Sequence, residues 1–413
     1  MPTSRAEPTG SRAIALLAFA GFFSSAAFRI CDPLLPLLAA DFNTSTGAAA
    51  WTITAFSIAY GSLQIFWGPV GDRFGKYRTA AFATVACAIG NIGAFFSETL
   101  TALIIYRAIA GATGGGIIPL GLAWIGDTVP YANRQAVLAR FMSGTILGIA
   151  CGQFIGGLYA DTLGWRWAFA SLAAGYVVVG ALLQRELRRS SVPAAADTRV
   201  IVEMPGSLRM RAAAILADRW ARVVLITVAL EGAIVFGVLA FVPSMLHLRF
   251  SISLAAAGGI VAGYGFGGVG YTFVARRLLK RLGEGGLATS GGVVMLLSFG
   301  LLWFAGEWPV ALIACFISGF GFYMLHATLQ TNATQMAPGA RGIAVSMFAS
   351  MFFIGQSIGV TLAALVVDHA SPGWLFPIAM LLMPAVAFTF ARLLRSRPKR
   401  HYSELPGPGS GSA

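Results

Sequence analysis

Apolar windows of about 20 residues, nearly free of charge, recur along the whole chain and are separated by short polar breaks. A stretch of that length crosses a bilayer core about 30 Å thick. Twelve such windows are read from the sequence: 13–38, 49–69, 80–98, 101–127, 136–160, 167–184, 223–247, 254–275, 287–306, 310–335, 342–367 and 374–394. The pattern predicts an all-α membrane protein of twelve transmembrane helices. One break is long and polar, 185–222, and it leaves six windows on each side.

The two sides repeat one another. From Arg134 the order is Phe141, Ser143, Gly148, Gly152, Asp161, Trp167 and Phe169. From Arg341 it is Phe348, Ser350, Gly355, Gly359, Asp368, Trp374 and Phe376, at a constant offset of 341 − 134 = 207. The same offset carries Pro36 onto Pro243. At an offset of 208, Asp72-Arg73-Phe74-Gly75 falls on Lys280-Arg281-Leu282-Gly283. A repeat of this size predicts two pseudo-symmetric six-helix bundles whose interface holds the binding site of a transporter. The expected division is an N-terminal bundle at 1–184, a cytoplasmic linker at 185–222, a C-terminal bundle at 223–397 and a disordered tail at 398–413. Residues 207–220 alternate Leu, Met and Ile with Arg, the pattern of a short amphipathic helix on the membrane surface.

Composition agrees. The 413 residues are 57% hydrophobic and 11% charged, which no ordinary soluble domain would bury. The net charge of +13 suggests nucleic acid until its distribution is examined. With the N-terminus inside, all but four of the 29 Lys and Arg (Arg29, Arg107, Arg166 and Arg249) fall in cytoplasmic segments. That asymmetry is the positive-inside rule. It places both termini in the cytoplasm of a multi-pass protein of a bacterial-type inner membrane, with the lipid bilayer rather than nucleic acid as its partner. Cys31, Cys87, Cys151 and Cys315 each stand alone in an apolar span, with no metal or redox spacing. The first span looks superficially like a signal peptide, but the repeat needs it as the partner of the seventh, so cleavage is not expected.

The strongest local motif is Gly68-Pro69-Val70-Gly71-Asp72-Arg73-Phe74-Gly75-Lys76-Tyr77-Arg78, between spans two and three. Here the chain resembles the major facilitator superfamily, whose signature in this loop has the form G-x-x-x-D-R-x-G-R/K. With the repeat and the span count, the resemblance covers essentially the whole chain. It implies a gate in which the loop latches the bundles in the outward-open state, with Lys76 beside Asp127 at the end of span four. Spans one, four, seven and ten are then expected to line the cavity. The second half has Lys280 where the first has Asp72, so a latch that depends on the acid is one-sided. A basic loop that only sets topology is the alternative.

Arg107 in span four, followed by Gly111, Gly114, Gly115 and Gly116, resembles the family's span-four motif associated with proton transfer. An Arg inside a span faces a cavity or an acid, unless it snorkels from about 9 Å inside the helix end. Arg29 and Asp32 are three apart on one helix face, and either neutralise each other or serve a substrate. Glu231 stands about 12 Å into span seven, near mid-membrane, where its counterpart by the repeat is Ser24. A carboxylate there requires a partner, a proton or a cationic substrate. Span five carries Gly144, Gly148, Gly152 and Gly156, a spacing that lets helices approach closely. It resembles the antiporter motif of the drug-efflux branch, except that Gln153 stands where that branch has proline. His326, Gln330 and Asn332 lie in span ten, where His326 either titrates or serves as a structural hydrogen-bonding group.

Gly263-Tyr264-Gly265-Phe266-Gly267-Gly268 has the form G-x-G-x-x-G but lies inside a span with no preceding strand, so no dinucleotide is implied. Neither a nucleotide-hydrolysing motif nor a nucleophile–base spacing is present; neither a cofactor, a metal nor enzyme activity is expected. The expectation is a monomeric secondary transporter that alternates access around a central site. Its best assignment is proton-coupled efflux of a small amphipathic or drug-like molecule. Proton-coupled uptake of a small organic nutrient, and a receptor that has kept the fold without transport, are the alternatives.

Overall fold

The computed structural model describes residues 10–189 and 208–396, with the side chains of 131, 132 and 339 left aside. Residues 190–207 of the expected linker, and the tail from 398 onward, lie outside the described residues. Sixteen α-helices and no strand occur among them. In chain order they are α1 (Ser11–Arg29), α2 (Leu35–Asp41), α3 (Thr46–Ala49), α4 (Trp51–Phe74), α5 (Lys76–Phe95), α6 (Leu100–Gly114), α7 (Ile117–Thr128) and α8 (Tyr131–Asp161). Then follow α9 (Trp165–Arg189), α10 (Leu208–Ala217), α11 (Arg219–Leu239), α12 (Val242–Phe250), α13 (Leu254–Phe304), α14 (Trp308–Gln335), α15 (Arg341–His369) and α16 (Leu375–Arg395).

Ten segments are long and apolar enough to cross a membrane. One of them, α13, holds two expected spans joined at Gly283, and α4 supplies the span expected at 49–69, so the architecture is consistent with twelve crossings. Several expected spans are broken helices. The first divides into α1 and α2, the fourth into α6 and α7 at Gly115 and Gly116, and the seventh into α11 and α12. Pro36 and Pro243 open α2 and α12, where a missing N–H costs nothing because the first turn has no intrahelical acceptor for it. Gly75 and Gly283 both end a helical run with positive φ, 91° and 65°, conformations that a residue with a Cβ adopts only at a cost. They are the glycines that the offset of 208 superposes.

The repeat is visible in packing. A Cβ on Gly148 would overlap the carbonyl oxygen of Phe22, and one on Gly355 would overlap that of Ala229. Gly152 stands against the Ala26 carbonyl and Gly359 against that of Ala233. In each case the repeat offset relates both members of one contact to both members of the other. Thus α8 grips α1 as α15 grips α11, by the same close approach of small residues to backbone. These two units meet along a seam where α8 packs on α13 and α4 packs on α15.

The end of the molecule where α1 begins carries Arg12, Arg73, Lys76, Arg140, Lys280 and Arg281, and is called here the basic end. At the opposite, far end, the seam is tightly closed. Contacts across it run inward as far as Gly61 against the Ser350 carbonyl and Phe353, and Gly265 against Ala150. Nearer the basic end, a Cβ on Gly68 would meet nothing. Helix α10 falls in the stretch expected to be amphipathic, and its Ile215 is buried.

Candidate functional site

Two pairs of ionisable side chains flank the seam, one in each half. In the first half, Arg29 Nη2 lies 2.7 Å from Asp32 Oδ2, one helical turn away, and both side chains are buried. Gln153 Nε2 donates to the same Asp32 oxygen at 2.7 Å. The amide that replaces the antiporter-motif proline is therefore a ligand of the span-one acid. Asp32 Oδ1 and Gln153 Oε1 have no hydrogen-bond partner among the described residues.

In the second half, His326 Nδ1 lies 2.7 Å from Glu231 Oε2. The Glu231 side chain is 0% exposed, whereas His326 retains 16%. Of the two, only the imidazole is partly accessible. Glu231 Oε1 is buried without a hydrogen-bond partner among the described residues. An unpaired carboxylate oxygen in an apolar interior is costly unless a proton or a ligand group meets it. The ring of His326 stacks on Phe322, with centroids 4.8 Å apart and 18° between planes.

Aromatic rings join the two pairs. The Arg29 guanidinium lies over the Phe236 ring at 5.0 Å. Phe236 meets Phe322 and Phe352 edge-on at 5.6 and 5.3 Å, and both touch His326. Across the seam, Phe28 and Tyr60 of the first half cluster with Phe353 of the second, with centroid separations of 4.6 to 6.2 Å.

Arg107 is fully buried, but its hydrogen bonds go to backbone. Its Nε donates to the Thr52 carbonyl at 3.2 Å and its Nη2 to the Ala27 carbonyl at 2.9 Å. Its guanidinium also lies over Phe56 at 4.1 Å. It ties α6 to α4 and α1, and it forms no salt bridge with an acid among the described residues. Snorkelling is excluded by this placement.

Lys76 Nζ donates to Asp127 Oδ2, as the resemblance implies, and lies 3.4 Å from Asp72 Oδ1. A Cβ on Gly71 would overlap the Leu120 side chain, and Trp67 Nε1 donates to the Ala112 carbonyl at 3.0 Å, so the loop is moored to span four. The ion pairs of Asp72 and Lys76 stay in the first half, and no bond from the motif to the second half occurs among the described residues. Arg73 lies over the ring of its neighbour Phe74, and Arg78 is exposed. Gly144, Gly148, Gly152 and Gly156 face the carbonyls of Ala18, Phe22, Ala26 and Ile30 in turn, so their role is close packing of α8 on α1.

Of the remaining span-ten residues, Asn332 bonds Glu284 and the Thr328 carbonyl, and Gln330 is exposed. Sequence reasoning missed Gln356, whose Nε2 donates to Ser57 Oγ at 3.1 Å across the seam. An amide beside the repeat glycine Gly355 was the available signal. It also missed Phe236, whose sole mark in the sequence is that it is the repeat mate of Arg29.

Buried charges at the seam of two repeated helical lobes, in a chain of membrane-spanning helices, define a polytopic membrane transporter. The chain belongs to the Major Facilitator Superfamily, whose family model matches residues 17–341. Members of that family are transporters and not enzymes. The chain is 34% identical over 155 residues to the efflux pump dotC of Dothistroma septosporum, covering 37% of this chain and 26% of that one. It is 29% identical over 169 residues to the multidrug export protein EmrB of Escherichia coli, covering 41% and 33%. These matches span only about a quarter to a third of those relatives. Over more of its length, 87% of this chain and 90% of the relative, it is 26% identical to the putative uncharacterized transporter YgaY of Escherichia coli. Among solved structures it superposes on the nucleoside transporter NupG with a TM-score of 0.73, 15% identity, and coverage of 95% of this chain and 100% of that one. For a D-xylose-proton symporter the values are 0.71, 15%, 92% and 97%. At these identities the likeness is one of fold.

Proposed function

We propose that this protein exports a small amphipathic organic compound in exchange for protons, by rocking its two halves around the seam. The observation that carries this reading is the Glu231–His326 pair. It offers a buried carboxylate with one free oxygen, a partly accessible imidazole, and an aromatic surround suited to an apolar guest. One charge crossing 100 mV supplies about 2.3 kcal/mol, so a single proton per cycle can drive a modest gradient. The names of the efflux relatives support the direction. In this reading the basic end faces the cytoplasm of a bacterial-type inner membrane, both termini are cytoplasmic, and the protein acts as a monomer. The bundles are residues 1–184 and 223–397, and the Asp72 motif gates the basic end.

Purified protein in liposomes with an imposed pH gradient tests the proposal. Candidate ligands are first found by thermal shift. Flux that responds to the gradient and disappears in Glu231→Gln supports it. Flux that ignores the gradient ends the proton-coupled reading, and an absence of flux with every thermally stabilising ligand favours a receptor. Gln153 favours the second reading, uptake, because the residue that distinguishes the antiporter motif is absent and its replacement binds Asp32. The sign of the gradient dependence in the same vesicles separates the two.

A further inference from the structure

The far end of the seam is held by two carboxylates that are copies of one another. Asp161 ends α8 in the first half, and Asp368, its repeat mate, lies near the end of α15 in the second. Each reaches across to the opposite half. Asp161 Oδ1 accepts from the Leu254 N–H at 3.0 Å and its Oδ2 from the Ala255 N–H at 2.7 Å. Asp368 Oδ1 accepts from the Gly47 N–H at 2.9 Å and its Oδ2 from the Ser45 hydroxyl at 2.6 Å. Leu254 is itself the repeat mate of Gly47. Donor and acceptor are therefore both related by the repeat, and the bond occurs twice about one pseudo-twofold axis.

The surroundings are also duplicated in kind. Ser253 caps α13 by accepting from Ala256 N, and Ser45 caps α3 by accepting from Ala48 N. On one side the carboxylate sits at the start of a long helix, where the N–H groups lack intrahelical acceptors and the dipole favours negative charge. The fit leaves no room for larger groups. A Cβ on Gly47 would overlap the Asp368 carboxylate, and one on Gly157 would overlap the Leu254 carbonyl. Among the described residues neither acid forms a salt bridge, so the charge is directed at the opposite half's backbone and, at Asp368, a hydroxyl.

We propose that Asp161 and Asp368 are positioning residues of the transport cycle: a matched pair of latches that hold the far end of the seam closed and release together when it opens. Charge-assisted hydrogen bonds are the strong kind, and opening must break all four at once. Both latches are at the same end, so they bias one conformation over the other instead of stabilising both. The proposal rests on the alternating-access part of the proposed function, and on neither its direction nor its coupling ion.

The test uses the full-length protein with its four cysteines replaced by Ala and spin labels placed in pairs. Leu163→Cys with Leu248→Cys reports the far end, and Arg140→Cys with Lys280→Cys reports the basic end. Asp161→Asn and Asp368→Asn keep one carbonyl acceptor each and remove the charge. Each single variant is expected to raise the odds of the long far-end distance by about tenfold, with the basic-end distance shortening in step, and the double variant is expected to raise them further. Ser45→Ala, a milder change at one latch, should move both distances the same way by less. If a carboxylate variant fails to fold, the Ser45→Ala measurement decides. Unchanged distance distributions in folded single and double variants, or in Ser45→Ala when the others do not fold, overturn the proposal. Vesicle flux measures the coupling reading separately, so either can fail alone.

Discussion

The guanidinium of Arg29 rests on the ring of Phe236, its own counterpart in the other half of the repeat. Two positions related by a pseudo-twofold axis can touch only close to that axis. The contact therefore marks the centre of the seam, and the two positions there are one cation and one aromatic ring. Around this point the symmetry of the scaffold gives way to chemistry that differs between halves.

Glu231→Gln removes the carboxylate while keeping the hydrogen-bonding shape. We expect gradient-driven flux to fall at least about tenfold, with thermal stability and elution volume unchanged. The reference is a factor of ten for about 1.4 kcal/mol in the coupled step. His326→Asn should impair flux in the same assay, since the imidazole is the partly accessible partner of Glu231. Full gradient response in both variants would remove the pair from the mechanism.

Breaking the buried Arg29–Asp32 pair by one partner leaves an uncompensated charge and is expected to cost about 3–5 kcal/mol. Arg29→Met with Asp32→Leu together should recover most of that loss, because no lone charge remains. Thermal unfolding of the two single variants and the double variant forms the cycle that checks it. Single losses under about 1 kcal/mol, the range of exposed pairs, would mean that the pair is already hydrated or exchanged.

Arg107→Ala should destabilise by about 2–4 kcal/mol, leaving two buried carbonyls without donors and Phe56 without its cation. Arg107→Lys should recover only part, because one ammonium cannot reproduce a planar fork held between two helices. Denaturation in detergent with ligand absent reads the structural effect apart from transport. If Arg107→Lys matches wild type in stability, the clamp is not what keeps an Arg here.

Gly148→Val and Gly355→Val test the repeated grip of α8 on α1 and of α15 on α11. Each forces a side chain into a backbone carbonyl, and overpacking of this kind costs about 1–3 kcal/mol. The two losses should agree closely, because the contacts are copies. Thermal shifts differing by more than a factor of two would show that the halves, though folded alike, are not equally tight.

Lys76→Gln should lower transport several-fold at little cost in stability. Its partners Asp72 and Asp127 are 63% and 53% exposed, and ion pairs of that kind contribute about 0–1 kcal/mol. Flux together with melting temperature checks this. A large melting-temperature drop with flux per folded molecule intact would make the motif a fold element instead of a gate.

The spans, the repeat and the Lys76–Asp127 pair are legible in the sequence, because hydropathy, periodic identity and a family motif each leave local marks. The breaks in the first and seventh spans carry one mark each, Pro36 and its repeat mate Pro243. The partnership of Glu231 with His326 is hidden, since 95 residues separate them and only the mutual rotation of α11 and α14 brings them together. Sequence alone points Arg107 at a cavity or an acid, because backbone carbonyls are everywhere and mark nothing in a sequence. Asp161 and Asp368 stand in the repeat, but their meaning needs the far ends of α8 and α15 to be placed against the other half.

Ser24, the repeat mate of Glu231, donates to the Gly114 carbonyl at 3.4 Å. That position faces a backbone carbonyl and the Tyr60 hydroxyl where the other half offers an imidazole. A tandem built from two first halves would lack the acid, whereas one built from two second halves would carry it in duplicate. The scaffold of this molecule is thus written twice in the chain, while the acid of the proposed proton site is written once, at Glu231 and not at Ser24.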